Sequence, residues 1–221
     1  MAEPEADFPL TLVVRKGGDL RWLGHLDFAR AVARALRRTG LSMRHSEGFH
    51  PRPRIQTPEP LPVGVGSDGE RFVVSFAEAV DPARVVELLE RQLPRGLEVV
   101  AAERGAHPEP RDAPLDLRLQ SPAPGRLAEL LATLGGEERP LGAAFEALPR
   151  PFGALVRVSA PAGERPSAGR FLAALKPLAQ AAGVDLTAID REVPSFAPPS
   201  DLQSRAPFST PEPPHGRSGS P

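Results

Sequence analysis

Residues 43–54, Met-Arg-His-Ser-Glu-Gly-Phe-His-Pro-Arg-Pro-Arg, place Arg44, Arg52 and Arg54, His45 and His50, and Phe49 within twelve positions. Glycine and proline restrict the backbone to a loop of defined shape, and guanidinium groups on such a loop suit a phosphate, which they hold through paired hydrogen bonds. Phe49 either stacks on a base or another flat group, or tucks into the core as a loop anchor. The two loop histidines lack a third ligand nearby, so no metal site is expected.

Upstream, residues 25–39 carry apolar residues at helical spacing, with Phe28, Val32, Ala35 and Leu36 on one side and Arg30, Arg34, Arg37 and Arg38 opposite. Gly40 suits the position after a helix end, and arginines in the last turn suit the negative end of its dipole. These arginines either form a solvated helix face or continue into the loop as one cationic surface. Asp27 fits the first turn as an acid at the positive helix end. His25 beside it is either a hydrogen-bonded, half-buried side chain or a direct ligand or base.

Charge is distributed unevenly along the chain. The formal net charge is −1, yet residues 11–60 hold ten Lys/Arg against four Asp/Glu, a local 10 − 4 = +6. Only Lys16 and Lys176 are lysines, so a general preference for arginine raises the total without explaining its placement on one segment. Absence of cysteine excludes disulfides, thiol catalysis and cysteine-ligated iron–sulfur clusters. The start of the chain is acidic and lacks an apolar signal core, and no apolar run reaches membrane-spanning length, so a soluble cytoplasmic protein with no membrane partner is expected.

The elements that must carry these residues follow one order twice. Strands over 10–16, 41–46, 71–76 and 97–102, with helices over 25–39 and 81–93, read as β-α-β-β-α-β; residues 47–70 read as an irregular connection. After a linker at 105–114, strands over 115–120, 144–148, 154–159 and 186–192 and helices over 126–134 and 167–182 repeat the order, with Ser167 as cap. The expected fold is α+β, with two ferredoxin-like β-α-β-β-α-β units in tandem over 8–104 and 115–193. Trp22 is expected to pack where the first strand meets its helix. Residues 194–221, with 8 Pro and 6 Ser among 28, read as a disordered tail.

The strings Gly18-Asp-Leu-Arg-Trp-Leu-Gly-His-Leu-Asp27, Arg34-Ala-Leu-Arg-Arg-Thr-Gly-Leu41 and Ser46-Glu-Gly-Phe-His-Pro-Arg-Pro53 resemble an uncharacterised bacterial domain family. Its members occur fused to radical SAM proteins or as separate, radical SAM-linked chains. The resemblance covers residues 10–100. The family pattern has serine before His-Leu-Asp and often Gly-Phe-Asn-Pro-His-Pro in the loop; Gly24, His50 and Arg52 depart from it. The resemblance implies a stand-alone accessory chain with a separate radical SAM partner and no cofactor of its own. Three functions are compatible with these residues. One is an RNA- or phosphate-binding substrate-recognition module without DNA specificity. Another is a metal-independent endoribonuclease, with His25, His45 or His50 as base and Arg44 or Arg52 stabilising transition-state charge. The last is a protein-interaction scaffold.

Overall fold

The computed structural model describes residues 6–110, 113–135, 144–159, 164 and 166–193. The expected disordered tail at 194–221 lies outside them. Among the described residues the fold is mixed α+β, with a sheet of eight strands and four helices. In chain order these are β1 (Phe8–Lys16), α1 (His25–Arg38), β2 (Ile55–Gln56), β3 (Val65–Phe76), α2 (Pro82–Glu90) and β4 (Leu97–Arg104), followed by β5 (Leu115–Gln120), α3 (Pro124–Gly135), β6 (Ala144–Arg150), β7 (Gly153–Ser159), α4 (Ala168–Ala181) and β8 (Ala188–Glu192).

Both halves of the chain contribute to one sheet, ordered β4-β1-β3-β8-β5-β7-β6, with β2 beside β3. Neighbours are antiparallel except β3 and β8, whose parallel pairing of Val65–Ser67 with Ile189–Arg191 joins the halves. Directly opposed residues on paired strands share a face. Leu10, Leu12, Val14, Phe72, Val74 and Phe76 thus point together into a core that α1 closes with Phe28, Val32 and Leu36, and α2 with Val85 and Leu89. A second core forms where Leu117 and Leu119 oppose Arg191 and Ile189, under Leu127 and Leu131 of α3 and Phe171 and Leu175 of α4. A bulge in β3 between the partners of Val14 and Lys16 keeps Ser67 and Glu70 on this same face. All four helices therefore cover one side of the sheet.

Helix boundaries follow local chemistry. Ser167 caps α4 by accepting from the Arg170 amide at 3.4 Å, and Pro82 occupies the first turn of α2, where its missing N–H costs nothing. Gly40, at φ +75°, ends α1 in the left-handed region that glycine enters freely.

The second strand differs from the sequence reading of 41–46. Met43 opposes Phe76 and Ile55 opposes Val74, so between them the strand has one place, opposite Ser75. Two residues fill it: the Arg44 amide donates to the Ser75 carbonyl (2.8 Å), and the Ser75 amide donates to the Arg54 carbonyl (3.1 Å). Residues 44–54 are thus an arm inserted at a single ladder position. Pattern reading over six residues has no means of showing such an interruption. The next strand begins at Val65 rather than 71, because Val65, Ser67 and Glu70 are buried between the two halves. Trp22 is 66 % exposed rather than packed at the strand–helix corner: a 3₁₀ turn over Gly18–Trp22 carries it outward, against Gly64.

Candidate functional site

The arm folds as a small hairpin. The Arg54 amide donates to the Arg44 carbonyl at 2.8 Å, the Ser46 amide donates to the Arg52 carbonyl at 2.7 Å, and His45 bridges Pro53. Gly48, at φ +120°, supplies the reversal at the tip, a conformation that L side chains rarely adopt. Phe49 sits at this tip fully exposed, so of the two readings of this side chain, the core anchor is excluded. His45, His50, Arg52 and Arg54 are exposed along the same hairpin. His45 Nδ1 lies 3.0 Å from the Met43 carbonyl oxygen. Arg44 is used differently: its guanidinium donates to the Ala6 carbonyl from Nε (3.1 Å) and Nη2 (2.6 Å), tying the arm's base to the segment before β1.

Helix α1 buries Phe28, Ala31, Val32, Ala35 and Leu36 and exposes Arg30, Arg34, Arg37 and Arg38. Arg30 pairs with Asp27 at 3.1 Å, an exposed contact of small energetic weight. Because Thr39–Gly40 leads directly into Met43, the last turn of α1 and the base of the arm share one end of the sheet. His25 lies at the opposite end of a 14-residue helix, about 20 Å away at 1.5 Å per residue. The predicted residues therefore fall into a group comprising the arm with Arg37 and Arg38, and a separate position at His25.

Burial and the nearby Lys16 ammonium lower the pKa of His25 below its ordinary value, holding the ring neutral at pH 7. Below about pH 6.5, the ordinary histidine value, the unfolded chain takes up a proton there before the folded chain does. Stability should consequently fall as pH drops from 6.5 toward the lowered value. The His25→Asn variant should lose less melting temperature between pH 7 and pH 5 than the wild type; an equal loss would assign the slope to other groups.

Beneath His25, the junction of the halves holds charges that sequence reading did not single out. Lys16 and Glu70 are each 1 % exposed and Arg191 is 6 % exposed. Lys16 Nζ donates to the Leu23 carbonyl (3.4 Å) and lies 5.7 Å from the Phe28 ring centroid. Glu70 accepts from Ser67 Oγ (2.6 Å), and its two carboxylate oxygens share Arg191 Nη1, at 3.1 and 3.2 Å, while Arg191 Nη2 bonds Glu109 from the linker. Burial raises the pKa of Glu70 and works against the Arg191 charge, but the Glu70 and Glu109 carboxylates more than restore that charge. For Lys16, burial outweighs the attraction of Glu70 and lowers the pKa. Lys16, one of two lysines in the chain and next to Arg15 at the end of an apolar-rich strand, was the available signal.

A cleft of about 290 Å³ opens beside this network. It exists because β3 pairs with β8 only through Ser67 and with β2 only from Val73, leaving the intervening edge uncovered. Its walls include Gln56 of β2, Glu59, Arg71 of β3, Glu109, Arg170 of α4 and Arg191 of β8. Among the described residues, no cluster of His, Asp or Glu is arranged to hold a metal ion, and no helix is long and apolar enough to cross a membrane.

Residues 10–114 match the model of a family described as an uncharacterized protein conserved in bacteria (DUF2344). The match spans α1, the arm, Lys16, Ser67, Glu70 and Glu109, and stops short of Arg191. No curated protein matches the chain.

Proposed function

We propose that this chain is an accessory substrate-recognition module that binds RNA, or another phosphate-bearing substrate, for a separate radical SAM enzyme to act on. We further read its halves as tandem ferredoxin-like units, a reading supported by the equivalent orders β4-β1-β3-β2 and β8-β5-β7-β6. One observation carries the functional reading: a hairpin inserted at a single strand position presents Arg52, Arg54, His50 and a fully exposed Phe49 to solvent. A large aromatic at a projecting tip has no packing role, and beside guanidinium groups it suits a base stacked above its own backbone phosphates. Arg37 and Arg38 at the same end of the sheet extend the cationic track.

Phosphate neutralisation releases counterions, so single-stranded RNA binding should weaken with added salt. The Arg52→Glu/Arg54→Glu variant should flatten the log–log salt slope by about 0.7 per lost phosphate contact. Salt-independent binding, or an unchanged slope in the variant, would remove the reading. Cleavage of the bound RNA would instead favour the endoribonuclease assignment.

A further inference from the structure

We infer that the end of the sheet opposite the arm is a self-association surface, where a second copy of this chain sits across a two-fold axis with Trp22 of each copy on the Phe152 side of the other. Four of the seven large apolar side chains that the described residues expose gather at this end: Trp22 at 66 %, Leu26 at 67 %, Val63 at 55 % and Phe152 at 78 %. Topology brings them together. Trp22 lies against Gly64, Val63 precedes that glycine, and Leu26 is in the first turn of α1. β8 runs parallel to β3, β5 returns antiparallel to β8, and Gly153 of β7 pairs with Gln120 at the end of β5, so the turn holding Phe152 closes the same end. Across β3, β8, β5 and β7 the two aromatic positions stand about 14 Å apart, three strand spacings.

Area, chain connectivity and charge together select a second copy as the occupant. At roughly 200 Å² for a large apolar side chain, these exposures amount to about 500 Å² per copy before any polar rim, against about 800 Å² per partner in a stable interface. The chain outside the described residues joins them at the arm's end: 1–5 lead into β1, 111–112 lie between β4 and β5, 136–143 between α3 and β6, 160–163 and 165 between β7 and α4, and 194–221 follow β8. Charge then fixes the orientation. Exposed Asp19 is three residues from Trp22 in a 3₁₀ turn, where such side chains eclipse, and exposed Arg150 pairs with Gly153 beside Phe152. A two-fold that crosses the aromatics brings Asp19 of one copy toward Arg150 of the other, whereas Trp22 on Trp22 would oppose like charges. Of the remaining charges here, Asp27 pairs with Arg30, Arg21 donates to the Gly18 carbonyl, and Arg126 and Asp185 offset one another in formal charge.

The test is sedimentation velocity of the full chain over about 1–100 µM, read together with emission from Trp22, the single tryptophan. Dimer is expected to build up across this range, with Trp22 emission moving to the blue in step as water leaves the ring. Trp22→Ala is expected to weaken the dimer at least about 30-fold, the loss that truncating a central aromatic anchor gives. Phe152→Glu is expected to weaken it comparably, and as a change at an exposed turn it separates lost association from lost folding. Asp19→Arg and Arg150→Asp are each expected to weaken association and, combined, to restore it. A wild-type chain that stays monomeric at the highest concentration, or a dimer indifferent to both aromatic substitutions, would overturn the inference. So would blue emission that does not vary with concentration, which would mean that the chain covers this end itself. Loss in the two charge variants that their combination fails to recover would overturn the crossed pairing. The arm lies at the far end of each copy, so Trp22→Ala should bind short single-stranded RNA as the wild type does, and this inference and the RNA reading fail separately.

Discussion

The Glu70→Ala variant is expected to lose about 3–5 kcal/mol of folding stability, since breaking a buried ion pair from one side leaves the other charge without compensation. Three groups would be stranded together. Arg191 loses a two-bond partner, Ser67 loses its acceptor at 2.6 Å, and Lys16 loses the carboxylate that opposes its desolvation. The Glu70→Leu/Arg191→Met double variant should recover most of that loss, because apolar residues of similar volume tolerate the same environment. Denaturant melts of both proteins check this, and a single variant within about 1 kcal/mol of wild type would mean that water relieves the charges. Because Glu70 lies in β3 and Arg191 in β8, the variant should also loosen the pairing that joins the two halves.

Phe49→Ala should behave in the opposite way. The side chain is fully exposed, so stability should stay within about 0.5 kcal/mol of wild type, as for surface substitutions generally. RNA affinity should fall about 10- to 100-fold, from a stacking contribution of roughly 1–3 kcal/mol per base. Fluorescence anisotropy with a single-stranded oligonucleotide measures it. Unchanged affinity would leave the exposed tip without a ligand contact and shift the reading toward a protein-docking role.

Much of this fold can be read from local pattern. Apolar spacing located α1 to within a residue, and Gly40 marked its end for the same reason it ends it: only glycine enters that backbone region without strain. The loop composition at 43–54 correctly drew attention to the arm, because Gly48 and two prolines constrain it wherever it projects. What stayed hidden depends on long-range pairing. The interruption of β2 is visible only through Ser75, and the single sheet only through Val65–Ser67 meeting Ile189–Arg191, more than a hundred residues apart. Burial of Lys16, Glu70 and Arg191 is likewise a property of the junction. Lys16 and Glu70 sit in strands largely buried on both faces, where no alternation marks the inward side, and charge alone does not reveal which charged residues face a partner across 121 positions. Trp22 shows the converse error: a lone tryptophan beside apolar residues suggests core, yet a 3₁₀ turn turns it outward.

The arm's insertion at one ladder position permits its clean removal. Replacing residues 44–54 with a single threonine between Met43 and Ile55 keeps Met43 opposite Phe76 and Ile55 opposite Val74, and places one residue opposite Ser75 to make both hydrogen bonds now shared by Arg44 and Arg54. The shortened protein is expected to melt cooperatively near the wild-type temperature and to lose at least about tenfold in affinity for single-stranded RNA, since it lacks the stacking ring and the exposed arginines. RNA affinity equal to wild type in a folded, arm-less protein would contradict the assignment of the arm as the recognition surface.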